Sequence, residues 1–377
     1  MATDSNNKVL NVPPLRFPEF SDRWTECELQ EISHISKGFG ISKDQLSETG
    51  LPCILYGELY TKYKSEIITD VLSKTDIDDG HLVRSKKNDV IIPSSGETAI
   101  DISTARCVPF DNILLGGDLT IIRLCKHDGR FFSYQLNGVR KFDIAKAAQG
   151  VSVVHLYGEN LKRLKVKYPS IDEQIKISSL LALIDERIAT QSRIIDKLQS
   201  LMSGIAEALT ANTPNTKIAD CLVCHSSTLQ ENQVSSSDKY RVYGASGVCG
   251  FTDQPAVTND SILIVKDGAG VGTVTYADGE YSVIGTSNYL TAKDGYLLRY
   301  LYYCLMCFNF TPYKTGMAIP HIYFKDYGKA KIYCPSIEGQ TKIATALSKI
   351  ESMLKTEQSI LQQYAIQKQY LLQQMFI

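Results

Sequence analysis

Residues 149–158 read QGVSVVHLYG, and residues 315–324 read TGMAIPHIYF. Laying Gly150 on Gly316, a shift of 166 positions (316 − 150), also pairs His155 with His321, Tyr157 with Tyr323, Lys165 with Lys331, and Pro169-Ser170-Ile171 with Pro335-Ser336-Ile337. The match continues through Gln174 and Gln340. Similarity at a fixed offset decides architecture, because each copy must then be one structural unit.

Downstream of each phrase runs an apolar stripe with steps of four and three. The first carries Ile177, Leu181, Ile184, Ile188, Ile195, Leu198, Met202, Ile205 and Leu209, with Gln191 as its polar member. The same offset gives Ile343, Leu347, Ile350, Leu354, Leu361, Tyr364, Lys368, Leu371 and Met375, with Glu357 in the place of Gln191. Two heptad stripes in one register predict two long helices packed on each other. Ser170 with Glu173 predicts a capping box at the first start; at the second, Ser336 is kept but Gly339 replaces the acid, so the first start reads as better specified.

Ahead of each helix lies a block with strand-like alternation and turn signals. The chain therefore divides into an arm (1–24), a first block (25–168), a central helix (169–210), the linker ANTPNT (211–216), a second block (217–334) and a C-terminal helix (335–377). The blocks echo each other weakly, ILYGEL (54–59) against RVYGAS (241–246) and KNDVIIPSSGE (87–97) against TNDSILIVKDGAG (258–270). Divergent blocks on matched helices imply one scaffold with two payloads. A helix of about 39 residues spans about 58 Å, so the order block, helix, block, helix predicts an antiparallel return and a pseudo-twofold object. The expected fold class is α+β: two mixed α/β domains separated by two long antiparallel helices that form a coiled-coil rod.

Composition excludes several classes. At 377 residues the chain exceeds one ordinary core, and its 44% hydrophobic and 21% charged residues are those of a globular protein. No run of about 18 apolar residues occurs and MATDSNNKVL lacks signal-peptide features, so a soluble cytoplasmic protein without membrane contact is expected. Net charge is −1, so affinity for nucleic acid would have to come from a local patch. The ten cysteines read as reduced thiols. Of two CxxC pairs, Cys221/Cys224 is followed by His225 and invites a zinc reading, whereas Cys304/Cys307 lies in an apolar run where cysteine acts as a small hydrophobe. The hydrophobe reading is preferred to a shared zinc site.

Catalytic motifs fail. Walker A, HExxH and GxSxG are absent. DGAGVGT (267–273) resembles a dinucleotide loop, but the strand-like TVTYADGEYSV that follows cannot supply the helix N-terminus a pyrophosphate needs. NVPPLRF (11–17) lacks the aromatic residue of an amino-methyltransferase loop and reads as an extended arm. A chain that does no chemistry itself, with two different modules on a pseudo-dyad, suits a two-part target such as duplex DNA.

RFPEF…W (16–24), a Gly-x-x-x-x-His loop before each PSI, the two heptad helices and the variable blocks between them together resemble the DNA-specificity subunit of type I restriction-modification systems, over essentially the whole chain. The resemblance implies two target-recognition domains, each reading half of a bipartite sequence on double-stranded DNA. It implies helices that set the spacer and dock two methylation subunits, with restriction subunits completing the complex. S-adenosylmethionine, ATP and Mg2+ would sit on those partners and no cofactor on this chain. A scaffold whose rod joins two protein-binding domains is the alternative, and a solitary methyltransferase or nuclease comes third.

Polar, glycine-containing loops are then the candidate DNA contacts. In the first block these are Lys37 with Gly38, Tyr56 with Glu58, Ser94, Ser95 and Glu97, and the basic cluster Arg84, Lys86 and Lys87; in the second they are Tyr243 with Ser246, Lys266 with Asp267, and Lys314 with Thr315. Arg and Lys suit guanine edges or phosphates, and Glu suits cytosine. Gly150 and Gly316 are expected to admit a phosphate to the backbone, because no side chain intervenes. His155 and His321 read as residues that pack their loops.

Overall fold

The computed structural model describes residues 11–150, 153–210 and 212–377, except for the side chains of 209 and 210. The expectations for the first ten residues, for seam position 209 and for linker residue 211 lie outside this range. The chain divides into two compact units, one running through Gln191 and including Ile360–Ile377, the other Ser192–Ser359. Two long helices, the central Ile171–Thr210 and the terminal Ile337–Gln374, are each shared between the units.

In the first unit a four-stranded antiparallel sheet runs in the order Ser33–Lys37, Leu119–Leu124, Asp89–Pro93, Arg106–Val108. Asp89–Pro93 is buried along its whole length, which explains the apolar run VIIP that follows Asp89. A three-stranded sheet, Ser73–Thr75, Leu51–Ile54, Leu114–Leu115, lies beside it, and Thr25–Glu28 pairs with Lys165–Tyr168 to close the block. The core gathers Trp24, Phe131 and Phe132 with Ile177, Leu181 and Ile184 of the central helix and Leu371, Met375 and Phe376 from the end of the chain. Early central-helix residues thus meet late terminal-helix residues, as an antiparallel pair requires.

The arm is pinned here. Leu15 N–H donates to the Gln374 carbonyl at 2.9 Å, and the Arg16 guanidinium takes both Glu173 oxygens at 2.7 Å. This corrects the expected capping box at the first helix start. The Glu173 carboxylate is buried, and a bidentate guanidinium neutralises it better than a return bond to the Ser170 amide would. The second start keeps a serine cap, with Gly339 N–H donating to Ser336 Oγ at 3.4 Å.

The second unit repeats these three sheets in the same strand order. Its four-stranded sheet is Leu222–Ser226, Ser287–Ala292, Ser261–Val265, Val274–Ala277; its three-stranded sheet is Gly247–Thr252, Tyr240–Gly244, Tyr281–Val283; and Thr216–Lys217 pairs with Lys331–Ile332. Asn215, inside the expected linker, brackets Cys334 with bonds of 2.8 and 2.9 Å to its N–H and carbonyl. Ala206 packs with Leu347 and Tyr303, beside Met202, Ile205 and Ile343, so the helices are antiparallel here too.

The DGAGVGT stretch turns from Ser261–Val265 into Val274–Ala277 with no helix after it, and Gly268 and Gly272 take left-handed φ values of 95° and 92°. Cys221 and Cys304 are core residues, and burial pushes the Cys304 thiol up to about 12. Among the described residues no group of three or more His, Cys, Asp or Glu is placed to hold a metal, and no helix is long and apolar enough to cross a membrane.

Candidate nucleic-acid interface

The ends of the repeated phrase are closed by the same backbone bonds in each unit. In the first, Gln149 and His155 exchange backbone bonds of 2.9 and 2.7 Å, and Leu156 N–H donates to the Ser94 carbonyl at 2.9 Å. In the second, Thr315 and His321 exchange bonds of 2.9 and 2.7 Å, and Ile322 N–H donates to the Lys266 carbonyl at 3.0 Å. Each loop returns onto the exit of the central strand of its sheet. Ser94-Ser95-Gly96 and Lys266-Asp267-Gly268 therefore occupy equivalent places on one framework.

The glycines are required by the loop itself. Gly150 and Gly316 have φ of 121° and 90°, and a Cβ would stand 2.1 Å from the Val153 carbonyl oxygen and 2.4 Å from that of Ile319. Gly38 is similarly forced, since a Cβ there would lie 2.1 Å from the Gly116 carbonyl oxygen.

In the first unit Lys37, Gly38, Ser94, Ser95, Glu97 and the Gly150 loop gather at one end of the sheet, because Lys37 lies opposite Thr120 and Pro93 opposite Leu119. Lys37 and Glu97 are exposed, and Tyr56 is half-buried at the rim of a cavity of ≈ 520 Å³ that Glu58 and Asp118 also line. Arg84, Lys86 and Lys87 are not part of this group, because they precede Asp89 at the opposite end of the same strand. Arg84 pairs with Asp78 at 3.0 Å, while the exposed Lys86 and Lys87 donate their backbone N–H groups to Asp89 and Asp111.

In the second unit Ser246, Lys266, Asp267, Lys314, Thr315 and Gly316 share the corresponding end; Lys266 N–H donates to the Thr286 carbonyl at 2.9 Å, and Ile284 N–H to that of Tyr243 at 3.0 Å. Asp267 sits between Lys266 Nζ at 3.0 Å and His321 Nδ1 at 3.2 Å.

Four of the expected contact residues are buried. Glu58 is buried, and its carboxylate accepts from the Leu55 N–H at 3.0 Å, Lys62 Nζ at 2.6 Å and the Ser73 hydroxyl. Ser94 and Ser95 are buried and bond Thr120 Oγ1 at 2.7 Å and Asp118 Oδ2 at 3.0 Å. Tyr243 is buried edge-on against Tyr281. These side chains build the loops and do not project from them.

Sequence reading also missed side chains that do project. His155 is exposed, and Tyr157 and Tyr323 are 50% and 48% exposed. The ring pairs match, His155–Tyr157 at 6.3 Å and 30° and His321–Tyr323 at 6.4 Å and 37°. Phe39, next to Gly38, is 59% exposed. The signal for the His–Tyr pairs was the repetition itself, which the packing reading of the histidines passed over.

The family model for the type I restriction modification DNA specificity domain matches residues 21–200 and again 221–363. A curated relative, the type I restriction enzyme EcoprrI specificity subunit of Escherichia coli, is 24% identical over 114 residues, 30% of this chain and 28% of the relative; the match thus spans under a third of that protein. Among solved structures, the type I restriction-modification S subunit from M. genitalium superposes with a TM-score of 0.70 at 18% identity, covering 97% of this chain and 99% of that one. A chain from a structure concerned with complex assembly and conformational transition of the type I R-M system gives a TM-score of 0.55 at 13% identity, covering 95% and 98%.

Proposed function

Since the chain belongs to the type I restriction-modification DNA specificity family, a family of DNA sequence-recognition subunits, we propose that each block reads one half of an asymmetric bipartite target on double-stranded DNA. The helices set the spacer and dock two methylation subunits. The observation that carries this reading is one framework used twice with different chemistry at equivalent places: Ser94-Ser95 at the strand exit in one block, Lys266-Asp267 in the other. Equal frameworks with unequal surface groups suit two readers of unlike sequences. On this reading the chain is non-catalytic, and S-adenosylmethionine, ATP and Mg2+ belong to the methylation and restriction subunits.

Contacts follow from exposure. Lys37, Glu97, Ser246, Lys266 and Lys314 are the side chains that can reach base edges or phosphates, with Arg84, Lys86 and Lys87 as a separate phosphate contact. The test is exchange of residues 217–334 for the second block of another family member, followed by methylation mapping of the assembled complex. One half of the target is expected to change. An active hybrid that altered both halves would refute two independent readers.

A further inference from the structure

What is the same in both blocks cannot be what distinguishes their targets. The framework carries unlike groups at its strand exits, yet both loops end in a His and a Tyr with ring separations of 6.3 and 6.4 Å, the tyrosines half exposed. Neither tyrosine belongs to a core cluster, so their repetition is not explained by packing. From this, and resting on the reading of the chain as a DNA reader, we infer that the two Gly-x-x-x-x-His-x-Tyr loops are matched clamps on the sugar–phosphate backbone, with His155/Tyr157 and His321/Tyr323 as the donors.

The chemistry of the second loop favours an anion. Among the described residues, the N–H groups of Met317, Ala318 and Ile319 make no hydrogen bond within the chain, in a turn set by the left-handed Gly316. Successive free N–H groups in such a turn form a concavity for phosphate. Lys314 is exposed at the loop entrance, and Lys325 Nζ lies 5.3 Å from the Tyr323 ring. The loop base is held by the Thr315–His321 bonds and by Gly268 N–H on the Pro320 carbonyl at 3.0 Å, so little ordering cost remains for binding. Met317 and Ile319, fully and 58% exposed, would lie along the deoxyribose edge. Contacts to phosphate and sugar fix register and orientation without reading sequence, which is what a device common to two readers must do.

The experiment uses the complex with its methylation subunits and compares wild type with His155→Ala/Tyr157→Ala and His321→Ala/Tyr323→Ala. Affinity is measured for target and non-target duplexes across a salt series. The expected result is binding about tenfold weaker to both duplexes alike, with an unchanged methylated sequence. Tyr157→Phe/Tyr323→Phe, which removes only two exposed hydroxyls and leaves the fold intact, is expected to weaken both duplexes about threefold. Unchanged affinity would overturn the proposal, as would a relaxed base preference in one half-site, which would make the loops readers. Loss of the methylation subunits with DNA binding intact would overturn it too, making the loops a protein contact. A wild-type complex that did not discriminate between the duplexes would instead refute the underlying reading of function.

Discussion

Lys368 Nζ lies 2.6 Å from Asp185 Oδ1 and binds Glu66 on its other side, inside the first unit. Asp185 also accepts from the Tyr134 hydroxyl at 2.7 Å and the Ser65 hydroxyl at 3.0 Å, so the cluster joins both long helices to the first block. Burial pulls the Lys368 ammonium down, but Glu66 and Asp185 outweigh it and hold the group above its ordinary 10.5.

Lys368→Met should therefore strand two carboxylates. The expected cost is about 3–5 kcal/mol, the range for breaking one side of a buried ion pair. Adding Glu66→Gln and Asp185→Asn should recover most of it, since the penalty comes from the orphaned charges. Urea denaturation of the single and triple variants is the measurement. Because the folded pKa is raised, the cluster's contribution is complete below the unfolded value near 10.5 and is lost as pH rises through the folded one.

The sequence could not show this cluster. Lys368 stood in the heptad stripe as a polar interruption, and its partner Glu66 is 302 positions away. The helices themselves were legible, because a period of three and four is written locally and the repeat wrote it twice. Glu58, Ser94 and Ser95 misled for the opposite reason: polar residues between glycines look like a surface, yet here their oxygens satisfy the backbone and hydroxyl donors of the turn. The topological identity of the blocks was nearly invisible, since strand order constrains burial and not residue identity.

Gln174 and Gln340 perform one task twice. Gln174 Oε1 accepts from the Asp128 N–H at 3.0 Å while its Nε2 donates to the Pro169 carbonyl at 2.8 Å; Gln340 does the same with Leu297 and Pro335 at 2.8 and 2.9 Å. Each ties the start of its block's helix, Gly129–Asn137 or Leu298–Met306, to the start of a long helix. Replacing either with Ala should cost about 1–3 kcal/mol, because buried amides lose their partners. Limited proteolysis should show the damage confined to the unit that carries the change.

Acid should separate the two units. Gln174 also contacts His127 Nδ1 at 3.1 Å, and burial depresses the His127 pKa below 6.5 despite that bond, whereas the Gln340 site has Leu297. A depressed folded pKa means that the unfolded chain binds the proton first. The stability of the first unit is then whole above about pH 6.5 and falls as pH drops toward the folded value. His127→Asn should flatten that fall, and an unchanged acid slope in hydrogen exchange of the first unit would contradict the assignment.

The proposed docking of methylation subunits can be tested on residues off the helix seam. Leu183, Ile366 and Tyr370 are 60%, 59% and 55% exposed in the first unit, too many large apolar groups on one helix pair to be idle. Leu183→Glu with Ile366→Glu should leave the isolated chain's stability within about 0.5 kcal/mol, as surface changes do. Co-purification of the methylation subunit should drop sharply. Retained co-purification would move the docking surface elsewhere.

The helices offer the remaining test, because their stripes keep one heptad register. Inserting seven residues in both helices at matched positions preserves every seam contact on either side, whereas an insertion in one helix leaves an unpaired turn and should mainly destabilise. If the helix pair sets the gap between half-sites, the double insertion adds about 10 Å, since each residue rises 1.5 Å. DNA advances about 3.4 Å per base pair, so the recognised spacer should grow by roughly three base pairs with both half-site sequences unchanged. Methylation mapping of an active double-insertion complex reads this directly, and an unchanged spacer in that complex would show that the helices do not measure the gap.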